Sequence, residues 1–286
     1  MDKIINNNYK IYKVSNSNRF QLDGKVIIVT GGTGILGEAF INGLADAGAT
    51  IGILGRNVKK ATERADAVNE RGGHAIALIA DVTDVPQLEK ARDRVLEEFG
   101  TIDGLVNAAG GNMPGAVVGP EQNIFKLDFK ALQDVINLNL FGTMLPTQVF
   151  GEVLADQGRG SIVNISSMAS QRAITKVLGY SLAKTAIDSY TKWFAVELGK
   201  RFGDAIRINA IAPGFFLTEQ NRTLLTKEDG SMTERGDLVI KQTPFSRFGN
   251  PDELIGALVW LLSDASRFVT GTVVNVDGGF AVFSGV

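Results

Sequence analysis

Tyr180 and Lys184 are the two residues of this sequence whose types and spacing point most directly to proton chemistry. They begin and end the run YSLAK, at the start of a stretch with a helical pattern. A separation of four residues places the phenol and the ammonium on one helix face. A tyrosine that exchanges protons near neutral pH needs a pKa lowered from about 10 toward 7, which corresponds to about 4 kcal/mol. The ammonium, together with a further positive charge nearby, would favour this change, although such pairs also occur by chance on helices.

The composition removes several other kinds of chemistry. The 286-residue chain has no cysteine, which excludes disulfides, thiol nucleophiles and cysteine zinc sites, and we predict no metal site. The single histidine, His74, lies in RGGHAIAL, a glycine-rich turn before an apolar run. Such a position suits the oriented base of a Ser-His-Asp triad poorly, so we interpret His74 as a surface or half-buried residue at a strand edge.

Charge and hydropathy restrict the partners. Lys and Arg total 29 and Asp and Glu total 31, which gives a formal net charge of −2 and disfavours nucleic acid as a partner. The sequence has no apolar run near the roughly 18 residues that a membrane span needs. Its start, MDKIINNNYKIYKV, lacks the long apolar stretch of a secretion signal. We therefore expect a soluble cytoplasmic protein, without a membrane partner, that acts on a small molecule.

A glycine-rich turn follows the first predicted strand. In TGGTGILG, at 30–37, Gly31 permits a tight turn, Gly34 a close approach to a pyrophosphate, and Gly37 the packing of a helix on the strand. The free N–H groups and positive dipole end of the following helix would stabilise the phosphates. A turn of this kind between strand and helix predicts a dinucleotide-binding site.

The end of the second predicted strand indicates which dinucleotide is preferred. In NAD-binding proteins an acid at this position commonly binds the ribose hydroxyls. Here Gly55 stands in its place, and Arg56 and Asn57 follow. Because Arg56 would pair with a ribose 2′-phosphate, we predict that NADP(H) is preferred, with NAD(H) possible. The alternative is an ordinary solvated arginine.

Apolar strand-like runs alternate with amphipathic helical patterns along the chain. The predicted strands cover 26–30, 50–54, 75–80, 104–107, 161–165, 206–211 and 272–276. The predicted helices cover 35–47, 59–71, 85–99, 131–155, 180–202 and 251–262. This alternation predicts an α/β fold: a single doubly wound, Rossmann-type domain with a parallel, seven-stranded sheet. The domain would cover 20–286 after a polar arm at 1–19, and the charged segment 217–248 breaks the alternation and is interpreted as a substrate lid.

Several motifs in a fixed order make the sequence similar to the short-chain dehydrogenase/reductase family, in its compact single-domain form. The resemblance covers about 20–280. Its motifs are the glycine turn, Asp81-Val82, NAAG at 107–110, Asn139, Ser167, Tyr180 with Lys184, and Pro213-Gly214 with Thr218. The second motif glycine departs from the compact pattern, since it is Gly34 where that pattern has glycine at 35, as in extended nucleotide-sugar epimerases.

The resemblance implies a role for each matching residue. Tyr180 would exchange a proton with the substrate oxygen, and Lys184 would bind the nicotinamide ribose and lower the tyrosine pKa. Ser167 would hydrogen-bond the reacting carbonyl, and Asn139 would hold a water that links Lys184 to solvent. Ser166 is interpreted as structural. The implied coenzyme-binding residues, besides Tyr180 and Lys184, are Gly31, Thr33, Gly34, Ile35, Gly37, Arg56, Asn57, Asp81, Val82, Asn107, Ala108, Ala109, Gly110, Pro213, Gly214, Phe216 and Thr218.

Three further stretches, at 107–112, 171–177 and 214–222, resemble the branch of this family that contains D-mannonate oxidoreductases, or fructuronate reductases. The branch implies NAD(P)-dependent reduction of a keto sugar acid to a hydroxy acid. Such a substrate needs a cation for its carboxylate and polar partners for its hydroxyls. The predicted substrate contacts are Asn112, Ser167, Arg172, Tyr180 and Arg222, with Gln171, Lys176, Gln220 and Asn221 as lesser candidates.

Other functions stay open at this point. The chain could reduce another ketone, such as a gluconate-type sugar acid, a ketoacyl group or a steroid, and an acyl or steroid reductase would have an apolar site. It could also be a non-catalytic nucleotide-sensing regulator, which the intact serine, tyrosine and lysine disfavour. The two long helical patterns, at 131–155 and 180–202, are faces through which this family commonly associates, so the resemblance implies a homotetramer.

Overall fold

A computed structural model describes residues 19–217, 222 and 224–285 of the chain. Within these residues, seven parallel strands form one sheet in the order β3-β2-β1-β4-β5-β6-β7. The strands are β1 (Val26–Thr30), β2 (Thr50–Gly55), β3 (His74–Ile79), β4 (Gly104–Asn107), β5 (Gly160–Ile165), β6 (Ile206–Pro213) and β7 (Val273–Val276). The predicted doubly wound parallel sheet is confirmed, and the predicted strand bounds agree to within two residues.

Helices cover both faces of this sheet. They are α1 (Ile35–Asp46), α2 (Val58–Glu70), α3 (Val85–Phe99), α4 (Phe129–Ile136), α5 (Gly142–Gln157), α6 (Leu178–Phe202), α7 (Glu234–Lys241) and α8 (Ile255–Leu262). Their apolar sides form two buried clusters, one on each face of the sheet, which explains the nearly continuous apolar sequence of the central strands. None of the described helices is long and apolar enough to cross a membrane.

The segment 131–155 is helical throughout, as predicted, but it contains a π turn that the sequence periodicity does not predict. A π-helical turn, Asn137–Phe141, separates α4 from α5. Within this turn the side-chain amide of Asn139 donates to the Val135 carbonyl at 2.8 Å, and the Thr143 hydroxyl donates to the Asn139 carbonyl at 2.8 Å. Side chains thus occupy carbonyls that the helical ladder would use, a known cause of local widening.

The segment predicted as a lid, 217–248, contains a helix that we did not predict from the sequence. Helix α7 lies in it, capped by the Thr233 hydroxyl, which accepts a hydrogen bond from the Gly236 N–H at 3.1 Å.

His74 begins the edge strand β3 and is exposed, as predicted. All seven strands run in one direction, so their carboxyl ends share one edge of the sheet, and the predicted motifs follow strand ends at that edge.

Candidate active site

The glycine turn between β1 and α1 is packed against the turn that follows β4. Gly31 has a φ of +66°, and a Cβ atom there would lie 2.7 Å from the Ala108 carbonyl oxygen and the Ala109 nitrogen. The Thr30 hydroxyl ties the two turns together by accepting hydrogen bonds from both alanine N–H groups, at 3.1 and 3.2 Å. Gly37 is equally restricted, since its Cβ would lie 2.3 Å from the Gly31 carbonyl oxygen. The glycines therefore create a narrow backbone cradle at the first turn of α1.

This cradle fits the pyrophosphate of a dinucleotide. Gly34, the N-cap residue of α1, provides no side-chain cap, so the N–H groups of the first helical turn are not covered by a side chain there. Unpaired N–H groups at a helix start bind phosphate well. Thr33 and Ile35, predicted to bind coenzyme, lie on either side of Gly34 at this point. Gly34 itself is less restricted than Gly31, because its Cβ would meet only the Gly31 carbonyl, at 3.3 Å.

Arg56 and Asp81 lie at the ends of β2 and β3, where an adenosine ribose is expected. The Arg56 side chain is 73% exposed, and its Nη1 lies 3.4 Å from the Asp81 carboxylate. Burial alone would raise the Asp81 pKa, but hydrogen bonds from Thr83 and the charge of Arg56 hold the pKa below its usual value. Asn57 uses its side chain to cap α2, accepting from the Lys60 N–H at 3.0 Å.

Gly55 has no room for the acid that this position carries in many NAD-binding proteins. A Cβ at Gly55 would lie 2.8 Å from the Thr33 Cγ2 methyl group. The Thr33 side chain, which belongs to the glycine turn, thus occupies the space beside the end of β2. Val82, predicted near the adenine, is buried and packs under Gly142, whose Cβ would lie 2.8 Å from a Val82 methyl group.

Asn107, at the end of β4, is buried and fixes the neighbouring strand. Its amide nitrogen donates to Asn164 Oδ1 on β5 at 2.9 Å and to the Thr147 hydroxyl on α5 at 2.8 Å. The turn that it starts continues through Ala108 and Ala109 to Gly110, which is exposed. A Cβ at Gly110 would lie 2.5 Å from Asn139 Oδ1 and 3.4 Å from Lys184 Nζ. The turn after β4 therefore adjoins Lys184, the residue predicted to bind the nicotinamide ribose.

Ser167, Tyr180 and Lys184 come together beside this turn. Ser167 lies two residues after the end of β5, and Tyr180 and Lys184 lie in the first two turns of α6. Lys184 Nζ lies 5.4 Å from the centre of the Tyr180 ring and donates to the Ile165 carbonyl at 2.7 Å. The Ser167 side chain lies close enough to the Tyr180 phenol to lower the pKa of that group. Since Ser167 Oγ already accepts from the Ala169 N–H at 3.2 Å, its hydroxyl proton is available for the tyrosine oxygen.

The protein environment acts differently on the two proton-bearing groups. Burial raises the pKa of Tyr180 above 10, and the hydrogen bond from Ser167 opposes this rise. Burial lowers the pKa of Lys184 to about 8, although the Asp188 carboxylate opposes the change. The protein alone thus does not make the phenol acidic. A lower tyrosine pKa would depend on the Lys184 charge and on a positively charged nicotinamide, as the sequence predicts.

Asn139 is fully buried in the π turn and is bound to main chain. Its amide donates to the Gly111 carbonyl at 2.8 Å and accepts from the Gly111 N–H at 3.0 Å. The side chain thereby fixes the turn after β4 on the start of α5. Its predicted role, a water between Lys184 and solvent, stays a prediction, and the nearness of Asn139 and Lys184 to Gly110 supports it.

Asp188 is a member of this cluster that the sequence motifs do not indicate. This buried carboxylate, one turn beyond Lys184 on α6, accepts hydrogen bonds from Ser166 at 2.5 Å and from Ser170 at 2.6 Å. Ser170 Oγ also lies 2.7 Å from the Ser167 carbonyl oxygen. Asp188 therefore fastens the Ser167 turn to the helix that carries Tyr180 and Lys184. The structural role predicted for Ser166 is this contact.

Arg172 is joined to the C-terminal segment. Its guanidinium donates to the Ala281 carbonyl at 3.1 Å and to the Phe283 carbonyl at 3.2 Å. Neutral carbonyls do not cancel its charge. Phe280 of the same segment packs on Phe215, with ring centres 5.1 Å apart, so these residues lie beside the chain that leaves β6.

The other predicted contacts occupy varied positions. Gly214 donates to the Val276 carbonyl at 2.9 Å after Pro213 ends β6, and Phe216 is buried against Gly249.

Asn112 is half-buried, and its Oδ1 is a buried oxygen with no hydrogen-bond partner among the described residues. Arg222 is exposed. Gln171 bonds to Asn275, and Lys176 has a φ of +72°. Thr218, Gln220 and Asn221 lie outside the described residues.

Three features of the structure define a class of protein, the oxidoreductases that exchange a hydride with a nicotinamide dinucleotide. These features are the doubly wound parallel sheet, the phosphate cradle at the start of α1, and the Ser-Tyr-Lys cluster at the same edge of the sheet. The sequence model of a family described as enoyl-(acyl carrier protein) reductase matches residues 33–281. A relative of Bacillus subtilis, named the uncharacterized oxidoreductase UxuB, is 42% identical over 274 residues, which cover 93% of this chain and 98% of the relative. The chain belongs to the short-chain dehydrogenase/reductase family and is an NAD(P)-dependent oxidoreductase acting on alcohol or keto groups.

Two solved structures are similar over nearly the whole chain. One is a protein of Haemophilus influenza with bound NAD, provisionally described as a D-mannonate oxidoreductase. It is 40% identical, has a TM-score of 0.85, and the match covers 95% of this chain and 100% of that one. The other is a gluconate 5-dehydrogenase of Burkholderia cenocepacia in complex with NADP and tartrate. It is 33% identical, has a TM-score of 0.83, and the match covers 93% and 98% of the two chains.

Proposed function

We propose that this protein reduces a keto sugar acid of the fructuronate type to a hydroxy acid of the mannonate type, with NADPH as its preferred coenzyme. The observation that carries the reaction type is the convergence of Ser167, Tyr180 and Lys184 beside the Gly110 turn. These groups can bind a carbonyl oxygen and supply a proton to it. The glycine cradle holds the pyrophosphate at the same edge of the sheet.

Each residue has a defined part in this reaction. A reduced nicotinamide, when bound, would supply the hydride that the carbonyl carbon accepts. Tyr180 donates its phenolic proton to the carbonyl oxygen, which becomes the hydroxyl of the product. Ser167 donates a hydrogen bond to the same oxygen and favours the charge that develops there. Protonated Lys184 stabilises the tyrosinate that remains, and solvent returns the proton through the Asn139 side of the site.

The preference for NADPH rests on the surroundings of Arg56. Gly55 and Thr33 leave no space for a carboxylate that would bind ribose hydroxyls and repel a 2′-phosphate. Arg56 is exposed at 73% and sits one residue beyond Gly55, where its guanidinium can pair with a phosphate. Its partner Asp81 is 3.4 Å away, a contact that a phosphate dianion would outcompete. Arg56→Asp should therefore shift the preference toward NADH, and an unchanged preference would overturn this role.

The substrate class rests on polar groups at the site and on the similar structures. Asn112 offers a buried carbonyl oxygen that has no partner in the described part of the chain, which suits a substrate hydroxyl. Arg172 carries a charge that its carbonyl partners leave available for a carboxylate. The gluconate and provisional mannonate enzymes that the chain resembles are named for sugar acids.

A matrix of substrates and coenzymes tests this function. Initial rates are measured with NADPH and NADH on fructuronate, 5-ketogluconate, the uncharged ketose fructose, a β-ketoacyl thioester and a ketosteroid. We expect the highest kcat/KM on a keto sugar acid with NADPH. Preferred turnover of the acyl or steroid ketone would replace the proposal with an apolar-substrate reductase. Normal NADPH binding without turnover of any ketone would indicate a nucleotide-sensing regulator.

Arg172→Gln tests the carboxylate contact within this matrix. We expect kcat/KM for the keto sugar acid to fall roughly 10- to 100-fold, the usual worth of a charge-assisted hydrogen bond, while any rate on fructose is retained. Arg201→Gln is the control, because Arg201 lies in the last turn of α6 and pairs there with Glu197. An equal fall on charged and uncharged ketones would assign Arg172 to anchoring the C-terminal segment instead.

Three further properties belong to the same proposal. Segment 217–248 acts as a lid over the substrate, the protein works in the cytoplasm, and it assembles as a homotetramer. Exposed apolar side chains on α6 support association, including Leu182 at 52%, Trp193 at 62% and Val196 at 54% exposure. Light scattering tests the assembly: a tetramer is expected, and a monomer would contradict it.

A further inference from the structure

Arg64, in the middle of α2, reaches across to the glycine turn. Its Nη1 donates to the carbonyl of Gly32 and, at 2.7 Å, to that of Gly34, and its Nη2 lies 2.7 Å from the Glu38 carboxylate on α1. The Arg64 side chain is only 14% exposed, whereas Glu38 is 56% exposed. Thirty residues separate Arg64 from Gly34, and no motif of the turn includes it. A largely enclosed guanidinium with two partners in the glycine turn and a third on α1 is a more specific contact than a surface ion pair.

The two carbonyls that Arg64 holds determine where two N–H groups point. In a planar trans peptide, the C=O of one residue and the N–H of the next point in opposite directions. When the Gly32 carbonyl is drawn toward Arg64, the Thr33 N–H is turned away from it. The Gly34 carbonyl, which also accepts the Glu38 N–H at 3.0 Å as the first hydrogen bond of α1, fixes the Ile35 N–H in the same manner. Thr33 and Ile35 are residues predicted to bind the coenzyme, at the open start of α1.

We propose that Arg64 is a positioning residue for coenzyme binding: it holds the glycine turn in the shape that presents the Thr33 and Ile35 N–H groups to the pyrophosphate. Glycine at 32 and 34 makes this support necessary, because glycine backbones otherwise sample many conformations. The guanidinium also places a positive charge on the carbonyl side of the turn, away from the Thr33 and Ile35 N–H groups. The effect is common to NADH and NADPH, because both contain the pyrophosphate.

The Glu38 carboxylate orients Arg64 but contacts neither carbonyl. Glu38→Gln keeps a hydrogen-bond acceptor and removes only the ion pair, so we expect little change in affinity. Lysine at position 64 carries one compact ammonium in place of a planar fork and fits this pair of carbonyls less well. Arg64→Lys should therefore bind coenzyme more weakly than the wild type and more tightly than Arg64→Met.

Fluorescence titration of the purified full chain with NADH and NADPH tests the proposal without any substrate. Arg64→Met is expected to raise both Kd values by a similar factor, on the order of 10- to 100-fold, since it removes hydrogen bonds from a charged donor. Arg71→Met is the matched control, because Arg71 at the end of the same helix also reaches α1, through Asn42 at 2.7 Å, away from the glycine turn. Arg56→Met should weaken NADPH only.

Displacement of bound NADH separates positioning from a general loss of structure. ADP-ribose contains the pyrophosphate and should displace NADH less well from Arg64→Met than from the wild type, whereas displacement by adenosine should be unchanged. Wild-type affinity for both coenzymes in Arg64→Met would overturn the proposal. So would a loss confined to NADPH, which would make Arg64 a 2′-phosphate ligand, or an equal loss for adenosine. If the Met variant does not fold, Arg64→Lys with wild-type affinity overturns it.

Discussion

Gly31→Ala is the substitution whose cost can be worked out most completely from the structure. Gly31 has a φ of +66°, a left-handed conformation that costs alanine about 1–2 kcal/mol. The new Cβ would also lie 2.7 Å from Ala108 O and Ala109 N, where ordinary contacts are 3.4–4 Å. Both of these atoms belong to backbone, so the two turns must separate, at roughly 1–3 kcal/mol. We expect a total of about 2–5 kcal/mol in the free energy of unfolding.

Two alanine variants divide this total into its parts. Gly72 has a φ of +85° with nothing within 4 Å of its Cβ position, so Gly72→Ala should show the left-handed cost alone. Gly151, inside α5, also has open space, so Gly151→Ala should be neutral or slightly stabilising. Thermal unfolding orders the three proteins, with Gly31→Ala lowest by roughly 4–10 °C below wild type.

Gly31→Ala should weaken NADPH binding as well, since both displaced turns line the predicted coenzyme site. We expect at least a tenfold rise in the Kd by fluorescence titration, and no change for Gly72→Ala. A Gly31→Ala protein that melts with Gly72→Ala and binds NADPH like the wild type would refute the close approach of the two turns.

Two other predictions concern the groups around Lys184. Asp188→Asn removes the negative charge that opposes the fall of the Lys184 pKa, which is about 8 in the native protein. Lys184 should then lose its proton at lower pH. The ionisable groups that face the Lys184 ammonium are Tyr180 and Asp188, both on α6. The neighbours from other elements are uncharged: the Ile165 carbonyl of β5, and the Asn139 amide of the π turn, which lies on the other side of Gly110. The alkaline limb of the pH–rate profile should therefore move to lower pH by about one unit, because a charge one turn away acts through a partly screened medium. A limb that does not move would contradict the coupling between Asp188 and Lys184. The control is Asp66→Asn, which removes an exposed carboxylate. Asn139→Ala leaves the Gly111 N–H, the Gly111 carbonyl and the Val135 carbonyl without their partner, at about 1–3 kcal/mol for each group that stays buried, so the melting temperature should fall by several degrees in scanning calorimetry. A melting temperature equal to that of wild type would show that water replaces the amide fully.

The strands and most helices could be predicted because their signals are local. Buried parallel strands such as VIIVT need an unbroken apolar run, and α2 and α3 carry their own side-chain caps at Asn57 and Asp84. The π turn was not predictable from the same periodicity. It depends on Asn139 bonding to Gly111, 28 residues earlier in the chain, and no helical pattern records such a contact.

The candidate site divides in the same way. The glycine turn, Ser167, Tyr180 and Lys184 could be recognised because backbone conformation and reactive side chains leave a compact motif. Arg64 and Asp188 could not, because each acts through partners brought near by folding: the Gly32 and Gly34 carbonyls for one, and Ser166 and Ser170 for the other. Nothing in the sequence indicates the bonds between Arg172 and the carbonyls of Ala281 and Phe283, which lie 109 and 111 residues further along the chain.

Tyr180→Phe provides the most direct test of the central claim, that the Tyr180 phenol donates the proton to the reduced carbonyl. Single-turnover reduction of the best keto sugar acid is followed by loss of NADPH absorbance, with the NADPH Kd measured on the same preparations. The account predicts a rate at least about 100-fold below that of the wild type with an unchanged Kd, the usual contribution of a general acid. A rate within threefold of the wild type would contradict it.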